Sequence, residues 1–324
     1  MMSSLTVGNV TARLPIVQGG MAVRISMAPL AAAVAKAGGV GVIAGSGMTP
    51  HELASEIRKA RELSGGDGII AVNIMVAVAA FKELVSVALA EGIDMVIAGA
   101  GFSRDVFQWC SEAGVPLVPI VGSARVAQLS EKFGAAAVIA EGFEAGGHLG
   151  TEDPLEILLP KIVSAVQLPV IAAGGIATGF DIKRFLDLGA AGVQMGSMFA
   201  ATVESSASDE FKRMYVDSTA EDIVLVKSPV GLPGRAIRNP FSIRLERGDY
   251  PEIGHCRGCL KKCGREYCIV DKLIRAQQGD VIEGLVFAGN SAIQVSDVPT
   301  VSELIDRLVS EYEAASGKVA SQGV

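Results

Sequence analysis

The sequence predicts an α/β fold: a (β/α)8 TIM barrel carrying a C-terminal helical and cysteine-containing extension. Three observations point there. Short β-rich runs alternate with helical segments at intervals of roughly 20 to 35 residues, the rhythm of repeated βα units. Half of the 324 residues are hydrophobic but only 5% are aromatic. The apolar content is therefore Ala, Val, Ile and Leu, the set that fills parallel strands buried on both faces. The length suits one such barrel with room for an addition. A doubly wound sheet uses the same alternation and stands as the alternative.

Eight strands are expected, each ending in Gly, Ser or a polar residue: Leu14–Gln18, Gly41–Ala44, Ile69–Ile74, Met95–Ala98, Leu117–Val121, Ala136–Ala140, Pro169–Ala172 and Gly192–Met195. Helix starts lie between them. Thr49-Pro50-His51-Glu52 is a capping box with proline at the first helical position, opening a helix to about Leu63. Asp153-Pro154-Leu155-Glu156 reads as the same device, and Thr178 with Asp181 offers another. With a helix over Ser206–Tyr215, the barrel takes residues 1–220, and residues 221–324 form an extension packed on it. In that extension Ser228–Phe241 is loop-like, rich in proline and glycine, and a helix runs from Cys268 to Gln278, stopped by Gly279. A last helix, about 300–313, opens with Thr300 and Glu303 and puts Val301, Leu304, Ile305, Leu308, Val309 and Tyr312 on one face. Fraying is expected from Glu313 onward.

A formal charge of −7 argues against nucleic acid or an anionic membrane as partner. Mean hydropathy is +0.42, yet the longest near-apolar run, Ile69–Phe81, contains Asn73 and is too short to cross a bilayer. The N-terminus lacks a charged segment followed by an apolar one, and five cysteines, four of them clustered, do not form a secreted disulfide framework. A cytoplasmic protein with a small-molecule substrate is expected, and a homodimer is a candidate assembly.

Two glycine-rich segments carry most of the chemistry. Ala173-Gly174-Gly175-Ile176 leaves the seventh strand into a helix, and Gln194-Met195-Gly196-Ser197 ends the eighth. Paired glycines let backbone N–H groups approach an anion, and barrels bind phosphate at these two loops. The plainer alternative is that Gly174 and Gly175 make a tight turn. No P-loop or Rossmann fingerprint is present, since Gly65-Gly66-Asp67-Gly68 precedes a strand instead of following one.

Of three histidines, His51 lies at the second position of a capped helix, on the surface, and His255 adjoins Cys256 as ligand or bystander. His148 stands just past the sixth strand, after Glu141, in a loop holding four glycines within nine residues. An imidazole there sits at a barrel's catalytic rim and can exchange a proton with a substrate carbon; a loop histidine bonded to its neighbours is the alternative.

Pro15-Ile16-Val17-Gln18-Gly19-Gly20-Met21-Ala22, Ala71-Val72-Asn73-Ile74-Met75, Glu144-Ala145-Gly146-Gly147-His148 and the two glycine segments resemble the nitronate monooxygenase (2-nitropropane dioxygenase) family, which includes enoyl-acyl-carrier-protein reductase II. The resemblance runs in order from Pro15 to about Phe199. It implies an FMN-containing TIM barrel, with the flavin against Gly19, Gly20 and Met21 and with Asn73 near the ring. Glu141, Gly146, Gly147, Ala173, Gln194 and Met195 are the other cofactor contacts it implies. Gly174, Gly175, Gly196 and Ser197 would hold the phosphate, and His148 matches the catalytic histidine. The implied activity is oxidation of alkyl nitronates by dioxygen, with His148 positioning or deprotonating the reacting carbon. NAD(P)H-dependent reduction of an enoyl thioester, or a related NAD(P)H:acceptor flavin reductase, is the second reading. A flavin-free phosphate-binding lyase or isomerase is a third.

Cys256, Cys259, Cys263 and Cys268 form C-x2-C-x3-C-x4-C within 13 residues. The first spacing suits zinc or an iron–sulfur cluster, while the later ones fit neither common pattern. Metal site, structural thiols and redox disulfide all stay open. Cys110, beside Trp109, is expected to pack in the core.

Overall fold

The computed structural model describes residues 2–254 and 256–317. Its centre is a closed barrel of eight parallel strands. In chain order they are Ile16–Gln18, Val40–Ala44, Ile69–Met75, Met95–Gly99, Leu117–Val121, Val138–Glu141, Val170–Ala173 and Gly192–Met195. All eight lie where the alternation places them, with ends shifted by up to two residues. The first and second strands touch through one residue pair, Val17 with Val40. The buried Gln18 amide extends that seam: its Oε1 accepts from Val42 N (2.9 Å), while its Nε2 donates to Val42 O (3.0 Å) and Ser26 Oγ (2.8 Å). A side chain thus supplies the hydrogen bonds that the short first strand cannot.

Inward residues from successive strands, among them Val17, Val42, Ala71, Ile97, Val118, Ile139 and Ile171, form one buried cluster. The same cluster takes Leu5, Val7 and Ala12 from a hairpin (Leu5–Val7 with Val10–Ala12) that precedes the barrel. Leu5 packs beside Gly192 at the start of the eighth strand, so the hairpin closes the end of the barrel opposite the strand C-termini. Helices cover the outside. The last, Val301–Ala315, keeps the Thr300–Glu303 capping box, buries Val301, Leu304, Ile305 and Leu308, and runs two residues beyond the expected end. It packs on the helix Gly179–Asp187, where Glu311 accepts from Gly179 N at 2.7 Å.

Three expectations need correction. Asp153 does not cap the helix Leu155–Val163; it pairs with Lys161, and the carboxylate of Glu144 accepts from Leu155 N (2.9 Å) instead. The segment 228–241 is not all loop. Its Pro233–Ile237 forms a strand, and Asn239 caps a helix, Pro240–Glu246, with proline at its start. Pro233 is the exposed first residue of the strand, the place where a missing N–H is harmless. That strand lies between Ile223–Lys227 and a two-residue strand, Gly147–His148, in an antiparallel sheet outside the barrel. The third correction follows: His148 is not on a free loop but is the edge of that sheet, opposite Gly234. No helix among the described residues is long and apolar enough to cross a membrane.

Candidate active site

The C-terminal ends of the strands surround one cavity, and every residue expected there reaches it. Gly19, Gly20 and Met21 arrive from the first strand, Asn73 from the third, and Glu141, Gly146, Gly147 and His148 from the sixth. Ala173, Gly174 and Gly175 follow the seventh strand, and Gln194, Met195, Gly196 and Ser197 the eighth. The glycines act in different ways. Gly174 and Gly175 have φ of +111° and +73°, so the turn itself requires them, and a Cβ on Gly175 would lie 3.0 Å from Glu144 Cβ. At Gly196 φ is −104°, and the nearest atom to an added Cβ is Met21 Sδ, 3.8 Å away. Gly147 is as uncrowded, with Phe287 Cδ2 at 3.8 Å, but its φ is +77°, so of the two only Gly196 combines a roomy cavity wall with a negative φ.

Two titratable groups in the cavity are pushed in opposite directions. Burial raises the Glu141 carboxyl to about 7 and lowers the His148 imidazole to about 4. Each borders the cavity, but protein surrounds it on most sides and keeps water away, which favours the neutral form in both cases. Near neutrality His148 is therefore uncharged. Its Nε2 lies 2.8 Å from Ser228 Oγ, and the ring of Phe287 meets it edge to face with centroids 5.1 Å apart. Gln194 Oε1 is buried with no hydrogen-bond partner within the protein. Ser197 Oγ accepts from Gly289 N (3.1 Å), which leaves its own proton to be donated.

Much of the remaining wall comes from the extension, and the sequence did not point to it. Phe287, Ala288, Gly289 and Ser291 line the cavity, with Gly289 N only 2.5 Å from where a Cβ on Gly146 would stand. Asn290 N donates to Glu144 O (2.9 Å). Tyr215, its hydroxyl pushed well up by burial, donates to Phe287 O. Arg235 is buried and ties the parts together: it donates to Phe143 O, to Ala145 O (3.1 Å) and to Asn290 Oδ1 (2.8 Å). A buried arginine whose donors meet carbonyls on both sides fixes the loop before His148.

Cys256, Cys263 and Cys268 lie near enough to Cys259 to add to the rise that burial gives its thiol. Among the described residues no three His, Cys, Asp or Glu side chains gather as a metal-holding group, and Cys256 and Cys263 are exposed. His255 lies outside the described residues. The segment instead binds the loop after the third strand, through Ala79 N to Cys259 O (2.9 Å) and Lys261 N to Ala77 O (2.9 Å). Cys110 is buried, its thiol raised to about 12, as a core residue should be. His51 is exposed on its helix.

Comparison with known proteins agrees with this geometry. A family profile described as nitronate monooxygenase matches residues 3–77 and 66–311. A Mycobacterium tuberculosis protein named (3aS,4S,5R,7aS)-5-hydroxy-7a-methyl-1-oxo-octahydro-1H-indene-4-carboxyl-CoA dehydrogenase is 35% identical, over 91% of this chain and 92% of its own. A probable nitronate monooxygenase of Staphylococcus saprophyticus is 29% identical, over 81% of this chain and 87% of its own. The solved structure of FabK from Thermotoga maritima superposes with a TM-score of 0.82 at 33% identity, covering 94% of each chain. With the barrel, the cavity and a profile that spans both, the chain belongs to the nitronate monooxygenase family of flavin-dependent oxidoreductases.

Proposed function

We propose that this protein is an FMN-dependent oxidoreductase whose substrate is a neutral acyl thioester, with a nicotinamide as redox partner. One observation carries the choice of substrate. The described residues that line the cavity include Glu141 and Glu144 and no lysine or arginine, and His148 is uncharged. A phosphate-bearing flavin adds negative charge, so an anionic nitronate would meet no compensating cation, whereas a thioester carbonyl needs only a hydrogen-bond donor. The CoA-linked name of the 35% relative and the likeness to FabK support the same class.

The residues fit FMN. The unpartnered Gln194 Oε1 would accept from a ring N–H, and Asn73, Gly19, Gly20 and Met21 would border the ring. Gly174, Gly175, Gly196 and Ser197 would hold the phosphate with backbone N–H groups and the free hydroxyl proton of Ser197, in the open space beside Gly196. FMN would supply hydride exchange with the β-carbon of the thioester, the proton being exchanged at the α-carbon. The chain's own part is to exclude water, to polarise the carbonyl through His148, and to hold beside the ring a Glu141 carboxyl that burial keeps readily protonated.

Oxidation of alkyl nitronates by dioxygen is the second reading, favoured by the family description and the staphylococcal relative. Membership in a flavin-dependent family sets aside the flavin-free lyase or isomerase. Stopped-flow measurement separates the two remaining readings. NADH and NADPH are each mixed anaerobically with the flavoprotein, and the reduced protein is then offered an enoyl-CoA. Oxidised protein is offered an alkyl nitronate in parallel. Rapid reoxidation by the enoyl-CoA with slow reduction by nitronate is expected, and the reverse order would establish the nitronate reading.

A further inference from the structure

We propose that Ser228 is a positioning residue that fixes the tautomer of His148, so that the imidazole presents Nδ1–H to the substrate as a hydrogen-bond donor. The role given to that donor, polarising a carbonyl, rests on the thioester reading above; the tautomer does not.

The argument is an accounting of protons around one hydroxyl. Ser228 is 5% exposed, so its hydroxyl depends mainly on partners within the protein. Its Oγ accepts from Val230 N at 3.3 Å and lies 2.8 Å from His148 Nε2. If Nε2 carried the proton, it would donate to the same oxygen, and the hydroxyl hydrogen would have no acceptor among the described residues. If Nε2 is bare, the serine donates to it and every group is satisfied. The second arrangement is favoured by the desolvation an unanswered hydroxyl would suffer. With Nε2 engaged, Nδ1 is the ring nitrogen left for the cavity that His148 lines. A neutral imidazole so held is a donor at Nδ1 and is not a free base toward the substrate.

Ser228 is itself held from outside the barrel. The preceding carbonyl, Lys227 O, accepts from the buried Tyr267 hydroxyl at 2.9 Å, and the following one, Pro229 O, accepts from Gly264 N at 2.8 Å. Both donors belong to the cysteine-bearing segment, which also binds the loop after the third strand through Lys261 and Cys259. The serine is thus braced on both sides and can hold the ring in one orientation.

Nitrogen-15 NMR of histidine-labelled flavoprotein tests this without any substrate. Three histidines are present, and His51→Gln and His255→Gln variants assign the other two. The expected spectrum shows His148 with protonated Nδ1 and unprotonated Nε2. Ser228→Ala should move the population toward Nε2–H and lower kcat about tenfold with KM and flavin absorbance little changed, while Ser228→Thr restores both signals. A wild-type His148 protonated at Nε2, or a tautomer indifferent to Ser228→Ala, overturns the proposal. Should the alanine variant fail to fold, the wild-type and threonine spectra decide the matter alone. A correct tautomer in a protein that ignores thioesters would remove the substrate reading and leave this one standing.

Discussion

The backbone of Gly20 rests on the side chain of Asn73: a Cβ at position 20 would stand 2.4 Å from Asn73 Cβ and 2.7 Å from its Nδ2. The loop after the first strand meets the third strand at this point, on the wall assigned to the flavin ring. Gly20→Ala must push Asn73 aside. Flavin affinity should fall about tenfold, or ~1.4 kcal/mol, while the barrel stays folded. Fluorescence of released flavin during dialysis measures it, and an unchanged Kd would remove Asn73 from the flavin contacts.

The phosphate end is best probed at Gly196. Valine at Gly175 would be strained by φ of +73° and would crowd Glu144, so loss of flavin there would not single out a phosphate. Gly196→Val adds its side chain at a negative φ, into open space. The expected result is a folded, largely colourless protein by near-ultraviolet circular dichroism and visible absorbance. Full flavin occupancy in this variant would place the phosphate elsewhere.

His148→Ala should keep its flavin and its reduction by NAD(P)H, and lose ~10²–10³ in the half-reaction with thioester, the usual effect of removing one donor from a developing oxyanion. The wild-type pH profile should also be distinctive. With the imidazole lowered to about 4, that half-reaction should show no loss attributable to histidine protonation between pH 8 and 5, and a decline only as the pH approaches 4. A break near 6.5, the ordinary histidine value, would contradict the buried neutral state.

Glu141 makes stability depend on pH. Its carboxyl titrates near 7 in the folded protein against an ordinary 4.5. Between those values the folded chain holds a proton that the unfolded chain has released, so its contribution is fully present below 4.5 and is lost as pH rises through 7. Glu141→Gln removes the penalty. In flavin-free protein the variant should gain on wild type from pH 5 to pH 8 by up to ~3 kcal/mol in urea unfolding. A difference independent of pH would show that the carboxyl ionises normally.

How much was legible follows from where each signal resides. The barrel strands are read from Ala-Val-Ile runs because a strand buried on both faces has few other compositions open to it, and the Thr49, Thr178 and Thr300 caps are local chemistry. Asp153 misled because its capping role fell to Glu144, nine residues earlier and close only in the fold. The strand Pro233–Ile237 was hidden by its own Pro and Gly, which serve as its first residue and as room for the Phe287 ring. His148 and the glycines announced themselves by type and place. Ser228, Arg235 and Phe287 did not, since each matters only through a contact across more than 50 residues of chain.

His148 follows a barrel strand in sequence, yet its backbone is paired with Gly234, in the segment appended after the barrel closes. The division expected near residue 220 therefore does not divide the chemistry. Exchanging the appended segment between relatives would also exchange one wall of the active site, because the strand that pairs with His148 travels with it. Substrate range and catalytic alignment should consequently change together among such hybrids. A shortened chain ending at the barrel would be a vessel without its working edge.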